Sequence, residues 1–382
     1  MYDEIIVGQG LTGLLTAIWS REEGKQVALV STGLGKIFQS AGVLDILPGE
    51  DSRFADLMEK YKLNTCSRLT IYEAAKKYFQ LTERIGYPYQ GNIEAPITII
   101  TGSGNLKETA FYPDTIKPIP EQGHVVIVGF EEVVDFLPKY VKGNLQKSRP
   151  SLHVDTMTVS LGKGSSRTMS QLDAAHLLDQ EKVCQHVLDQ IKIKMAAKKI
   201  AKPELFIFPA ALGFNKWRKV LEQATIQLQA AITEAPGMPP NATAIRLHDK
   251  LKKEAIKLGV RFYENTTIIG AKIEDNKVQA VITSANLEIK SESYIIAAGG
   301  MLGGGIEKTA TGYKDKVLGL DLDHHGCYMS CPENVWLVGA SNGMNVTQYG
   351  ITGGVYSILS CYQTFTARKQ HMKLGGLQHA KL

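Results

Sequence analysis

The segment Ile5-Ile6-Val7-Gly8-Gln9-Gly10-Leu11-Thr12-Gly13 runs from an apolar stretch into a glycine loop and on into a helical pattern. Ile5 to Val7 reads as a buried parallel strand, and Leu11, Leu14, Leu15 and Ile18 then recur at the spacing of one helix face. The three glycines of this GxGxxG have separate jobs. Gly8 permits a tight turn, Gly10 lets the backbone approach a pyrophosphate, and Gly13 lets the helix pack closely on the strand. Leu11 and Thr12 open the helix, whose N-terminal N–H groups and dipole then face the anion. A second strand, Gln26 to Val30, completes a βαβ unit on schedule. Glycine clusters often mark only turns, but this strand–loop–helix–strand order points to nucleotide binding. At the start of a chain it suits a flavoprotein. One part departs from the pattern: the acid that grips an adenosine ribose at the end of the second strand is replaced by Ser31-Thr32, and a serine is the weaker partner.

The bulk numbers set limits on the rest. At 382 residues the chain exceeds one typical core, so two intertwined domains are expected. The charge balance, 43 basic against 38 acidic residues, gives only +5, too mild and dispersed for nucleic acid. No apolar run reaches the roughly 18 residues that span a bilayer, and Met1-Tyr2-Asp3-Glu4 lacks a basic leader, so a cytoplasmic chain without a transmembrane segment is expected. Five scattered cysteines fit a reducing compartment. Cys327 and Cys331 stand alone, without the repeated spacing of a zinc or iron–sulfur site, and no metal is expected.

Further along, Gly33-Leu34-Gly35 leads into Ser40-Ala41-Gly42, small residues that suit either close approach to a ring or phosphate or an ordinary tight loop. Helical spacing is expected in Phe54 to Met58, Ile71 to Ile85, Val133 to Val141, Leu172 to Ala201 and Thr243 to Lys257. Strands are expected at Ile97 to Ile100, His124 to Gly129 and Leu152 to Leu161, and Leu205 to Gly213 reads as a buried strand running into a turn. Three more short ones, Arg261 to Tyr263, Ile268 to Ile273 and Gln279 to Ser284, are separated by hairpin-like breaks. Lys107, on a glycine-rich polar stretch, could meet an anion or simply be solvated. Arg246 and His248, in the first turn of a helix, could anchor an anionic substrate, while an Arg there is also a common ion-pair partner. Tyr294 to Gly300 reads as a buried strand ending in Gly299-Gly300. Val335 to Ala340 is a strand reaching Gly339, and Gly353-Gly354 open a last helix over Val355 to Thr366, a second helix N-terminus available to an anion or a reduced flavin ring.

The order of these parts resembles the flavoprotein superfamily of fumarate reductase and its relatives: an N-terminal GxGxxG, a Ser40-Ala41-Gly42 loop, an Ala297-Ala298-Gly299-Gly300 strand end and a closing Leu337-Val338-Gly339 strand. More particular stretches are similar to the B-subunit of anaerobic glycerol-3-phosphate dehydrogenase. These are Phe38 to Asp45, Val128-Gly129-Phe130 with Asp135-Phe136, Phe208 to Gly213, Ile245-Arg246-Leu247-His248, and Gly104 to Pro113 in the form Gly-x-x-Lys-x-Thr-x-x-x-Pro. The resemblance implies an α/β fold: a Rossmann-type flavin-binding domain with a parallel sheet (1–50, 121–150 and 241–382) interrupted by an inserted mixed α+β cap (51–120 and 151–240). It implies FMN, with FAD the alternative, held by Gly8, Gly10, Leu11, Thr12, Gly13, Ser31, Thr32, Ser40, Ala41, Gly42, Gly299, Gly339, Ala340, Gly353 and Gly354. Ala340 stands where related flavoproteins often carry an Asp.

The implied activity is that of a flavin subunit working beside a catalytic FAD subunit and a membrane-associated iron–sulfur subunit, peripheral at the inner membrane through them. Together these pass electrons from oxidation of glycerol 3-phosphate to dihydroxyacetone phosphate toward quinone. The alternatives are a stand-alone flavin oxidoreductase acting on a small hydroxy or carboxylic acid, and a non-catalytic scaffold of flavoprotein fold. No catalytic residue is assigned, because His248, His324 and His325 lie in no motif that places a base.

Overall fold

The computed structural model describes residues 1–46, 68–162, 168–324, 326–343 and 353–379. The expected helix at Phe54 to Met58, together with Gly350–Thr352 and His325, lies outside them. Nine strands build two parallel sheets: β1 (Tyr2–Val7), β2 (Val27–Val30), β3 (Gly123–Phe130), β4 (Leu152–Val159), β5 (Leu205–Pro209), β6 (Ala231–Ala235), β7 (Arg261–Tyr263), β8 (Ser291–Ile296) and β9 (Val335–Leu337). The α-helices of the described residues are α1 (Leu11–Glu22), α2 (Arg68–Arg84), α3 (Pro138–Ser148), α4 (Gln171–Leu178), α5 (Glu181–Ala197), α6 (Trp217–Leu228), α7 (Ala242–Lys257) and α8 (Gly354–His379). The chain divides into two compact units, one of Met1–Ile37, Asp45–Gly86 and His248–Leu382, the other of Phe38–Leu44 and Tyr87–Leu247.

In the first unit the strand order is β7-β2-β1-β8-β9, all parallel. β1 is central, which explains its uninterrupted apolar run: Ile5 and Ile6 are buried on both faces of the sheet. Helix α1 returns the chain from β1 to β2 and buries Leu14, Leu15, Ile18 and Trp19. Glu4, at the buried start of β1, is ion-paired to Lys25 and to Arg368 of α8 (2.5 Å). Burial alone would raise the Glu4 carboxyl, but Arg368 and Lys25 outweigh it and hold it below its usual value. A three-stranded antiparallel sheet, Ile268–Glu274, Lys277–Thr283 and Glu288–Ile289, completes this unit's larger elements. Its first hairpin turns through Asp275 and Asn276, both at positive φ (49° and 57°), as a tight two-residue turn requires.

The second unit holds the sheet β6-β5-β3-β4, also parallel, with α3, α4, α5 and α6 as the crossovers between successive strands. Two antiparallel pairs accompany it, Tyr89–Gly91 with Phe111–Pro113 and Ile97–Ile100 with Leu106–Thr109.

Several expectations change. Residues 121–150, expected with the first domain, belong to the second unit, because β3 is hydrogen-bonded on both sides by β4 and β5. Helix α2, expected in the cap segment 51–120, belongs to the first unit. Its Lys77 pairs with Glu22 of α1 (3.3 Å), and its Glu73 accepts from Tyr362 of α8 (3.1 Å). The inserted domain, expected as mixed α+β, has a parallel α/β sheet as its largest element. Arg261–Tyr263 leaves the expected hairpins and joins β2 in parallel. The helix expected at Val133 to Val141 starts only at Pro138, whose missing N–H and fixed φ suit a first helical turn.

Candidate functional site

Parallel strands bring their carboxyl ends to one edge, where α/β sheets bind ligands. Here the ladder continues just past the strand ends: Gly8 N–H donates to Val30 O (2.8 Å), Ala297 to Val7 (2.8 Å), Val338 to Ile296 (3.0 Å) and Ser31 to Tyr263 (3.0 Å). Gly8, Ser31, Ala297 and Val338 therefore leave the sheet side by side.

The glycines of the first turn divide their work as the sequence suggests. A Cβ on Gly13 would lie 1.8 Å from Gly8 O, so only glycine lets α1 pack this closely on β1. Gly8 sits at φ +108°, and its Cβ would lie 2.3 Å from Ala297 O. Gly10 is different. It caps α1 in an extended conformation (φ −72°, ψ −173°), and a Cβ there would meet nothing within 4 Å. Its N-cap residue, a glycine, has no side chain to cap the helix, and the first turn holds no acid. Open space thus coincides with the positive end of a helix, and these residues fit a phosphate.

The neighbouring turns are built against this one. A Cβ on Gly339 (φ +58°) would press on Thr12 Cγ2 at 2.6 Å. Gly339 N–H donates to Ser360 Oγ (2.8 Å), and Gly299 N–H donates to Ser341 Oγ (2.9 Å). Cys361 Sγ donates to Thr12 O (3.5 Å), so α8 is tied to the first turn of α1. Ala340 follows in a short 3-10 turn, Gly339–Asn342. Gly353 and Gly354 begin α8, about 10 Å along the helix from Cys361. That helix start is not wholly open: Val355 N–H donates to Asp45 O (3.1 Å), and a Cβ on Gly353 would lie 2.1 Å from Ile46 O. At the end of β2, Ser31 is buried, and its Oγ has no hydrogen-bond partner among the described residues, while Thr32 is exposed. An orphaned hydroxyl at this point of a βαβ unit fits a ribose.

Ser40, Ala41 and Gly42 belong to the second unit, at the first turn of α7. Asn241 Nδ2 donates to Ser40 O (3.1 Å), Thr243 Oγ1 to Ala41 O (2.7 Å), and a Cβ on Gly42 would lie 2.6 Å from Ala244 N.

Two candidate anchors are already committed. Arg246 is 2% exposed and pairs bidentately with buried Glu234 (2.7 and 2.9 Å), with further donation to Gly213 O (2.9 Å). Burial works against its charge, but Glu234 outweighs this and the guanidinium stays protonated. Glu234 also accepts from Leu212 N–H (2.8 Å), so the Phe208 to Gly213 turn is tied to the same pair. His248, likewise buried, is hydrogen-bonded to the Gln9 backbone, inside the glycine loop. Burial, helped by Lys252, pushes its imidazole down to about 4, so it is neutral at pH 7. Gln9 in turn donates to Glu264 (3.2 Å), which also takes Lys252 (2.6 Å). Lys107 lies in the Leu106–Thr109 strand, opposite Ile99. Gln9, Glu264, Ser341 and Ser360 support these turns without a signal in the sequence, because no spacing announces residues that meet only through the fold.

A sequence profile of the FAD binding domain family matches residues 3–372. The chain belongs to that family. Its cofactor class is accordingly a flavin. Among curated proteins, the anaerobic glycerol-3-phosphate dehydrogenase B-subunit of Glaesserella parasuis is 23% identical in an alignment of 333 positions that covers 80% of this chain and 76% of that protein. The B-subunit of Haemophilus ducreyi is 22% identical in an alignment of 361 positions that covers 88% of this chain and 83% of that one. Among solved structures, glycine oxidase of Bacillus cereus superposes with a TM-score of 0.32 at 16% identity, over 78% of this chain and 57% of that chain. The chain spans little more than half the length of that structure. No helix among the described residues is long and apolar enough to cross a membrane.

Proposed function

We infer that the chain is the flavin-carrying subunit of an anaerobic glycerol-3-phosphate dehydrogenase complex. It takes electrons derived from oxidation of glycerol 3-phosphate to dihydroxyacetone phosphate and relays them toward quinone. A catalytic FAD subunit and a membrane-associated iron–sulfur subunit are its partners, and they bring it from the cytoplasm to the inner membrane. The observation that carries the flavin is the uncapped start of α1 with open space at Gly10. The names of the B-subunit relatives support the complex.

A bound flavin supplies two-electron chemistry that side chains cannot. The chain's own residues would position it: the N–H groups of Leu11, Thr12 and Gly13 would hold the phosphate, Gly299 and Gly339 keep neighbouring backbone close, and Ser31 would offer its hydroxyl. Ala340, Thr32, Gly353 and Gly354 complete the proposed contacts. FAD is favoured over the FMN expected from the sequence, because the family binds FAD and only a dinucleotide gives Ser31 a ribose to hold. The stand-alone oxidoreductase is disfavoured, since Arg246 is occupied by Glu234 and His248 by the glycine loop.

Purification of the chain without partners tests this. The expected product is yellow, releases FAD on denaturation, and is not bleached by glycerol 3-phosphate until a catalytic partner is added. Ser31→Ala is expected to weaken FAD retention about tenfold, the worth of one hydrogen bond to the ribose, and to leave FMN binding unchanged. A colourless protein competent in assembly would establish the scaffold. Bleaching by substrate at a turnover rate, without partners, would establish the stand-alone enzyme.

A further inference from the structure

Within the second unit, the parallel pair β3–β4 places two imidazoles and a carboxylate on one face of a sheet. His124 and His153 are direct register partners, and Asp155 follows His153 by two residues, which returns it to the same face. Leu152 and Val154, at the alternate positions, are buried, whereas His153 is exposed and Asp155 partly so. Nε2 of His124 lies 3.0 Å from Asp155 Oδ2, and Nε2 of His153 lies 3.2 Å from the same oxygen. One ligand atom from each residue falls within 4.8 Å of the other two.

We propose that His124, His153 and Asp155 form a binding site for a late first-row divalent cation of the zinc class. The donor set decides the class. Two neutral imidazoles and one carboxylate oxygen suit zinc and its neighbours, while magnesium and calcium take oxygen ligands. The spacing fits as well. Zinc–ligand bonds of about 2.0–2.1 Å in a tetrahedron place ligand atoms roughly 3.3 Å apart, and the two measured edges differ from that by only a few tenths of an ångström. Three protein ligands leave a fourth position open to water on the exposed side. The ion joins β3 to β4, and among the described residues β4 is the outermost strand of its sheet. Its effect is to clamp that edge strand at its first residues. The site does not rest on the flavin reading, since none of its three residues is among the proposed flavin contacts.

The test uses the full chain with its flavin, stripped with a chelator and titrated with Zn2+ alone by calorimetry. One equivalent is expected to bind per chain, and to raise the thermal midpoint. His124→Ala, His153→Ala and Asp155→Asn are each expected to weaken binding at least about tenfold. Their circular dichroism and flavin content should remain unchanged, and so should zinc binding in the control His176→Ala, an imidazole outside the cluster. Absence of zinc binding by the unaltered chain would overturn the proposal. So would binding that the three substitutions leave intact, which would mark an adventitious ion held elsewhere.

Discussion

Replacing Gly10 by valine separates two jobs that glycines share in the β1–α1 turn. Its φ of −72° and ψ of −173° are extended backbone, which a β-branched residue adopts readily, and nothing lies within 4 Å of the new Cβ. Loss of a good cap residue costs up to about 1 kcal/mol, and the stiffer unfolded chain returns about 0.4–1 kcal/mol, so the two nearly cancel. The flavin-free protein should unfold within about 2–4 °C of the unaltered one. Retention of the cofactor is another matter. A branched side chain in the open space keeps phosphate from the α1 N–H groups, whose charge-assisted hydrogen bonds are each worth about 1.5–3 kcal/mol. Losing one of them weakens flavin binding about tenfold or more, and losing two leaves a colourless protein. Gly13→Ala is the opposite case: its Cβ would lie 1.8 Å from Gly8 O, so α1 must lift off β1, at about 1–3 kcal/mol or more. The assay is thermal denaturation of both variants without flavin, beside absorbance per chain after purification with it. Gly10→Val protein as yellow as the unaltered chain, or as unstable as Gly13→Ala, would refute the reasoning.

Arg246→Ala should destabilise the fold by about 3–5 kcal/mol, because it leaves the Glu234 carboxylate buried without its cation; chemical denaturation measures this, and a substitution that changes only substrate affinity would return Arg246 to the role of anchor. His248, held near 4 against its usual 6.5, is neutral in the fold and protonated in the unfolded chain between those values, so its contribution is complete above about pH 6.5 and is lost as pH falls toward 4. That interval corresponds to about 3 kcal/mol, and His248→Gln should flatten the stability profile by that much between pH 7 and 4; a variant with the unaltered acid limb would contradict it. Glu4→Gln should destabilise the first unit by about 3 kcal/mol or more by leaving Arg368 buried without its carboxylate, read as a lower denaturation midpoint at pH 7; an unchanged midpoint would show the pair to be dispensable.

Local pattern was enough for the elements that make the cofactor turn. The β1–loop–α1–β2 unit, the strand ends at Gly299 and Gly339, and the helix holding Arg246 and His248 were all legible, because each is written in contiguous residues as an apolar run, a glycine or a helical period. Pairing was not legible. A parallel strand buried on both faces reads as continuous apolar sequence whichever neighbour it takes, so nothing in His124 to Gly129 said that β3 belongs beside β4 and β5, nor in Arg261 to Tyr263 that β7 lies beside β2. The same limit governs side chains. An Arg in a helix start looks alike whether it awaits a substrate or faces a buried Glu234, and a serine at the end of β2 shows only in the fold that its hydroxyl has no partner. His124 and Asp155 lie far apart in the chain and meet only because two strands align in register. Composition and periodicity record how deeply a residue is buried; which residue it meets there is settled by the long-range packing of the chain.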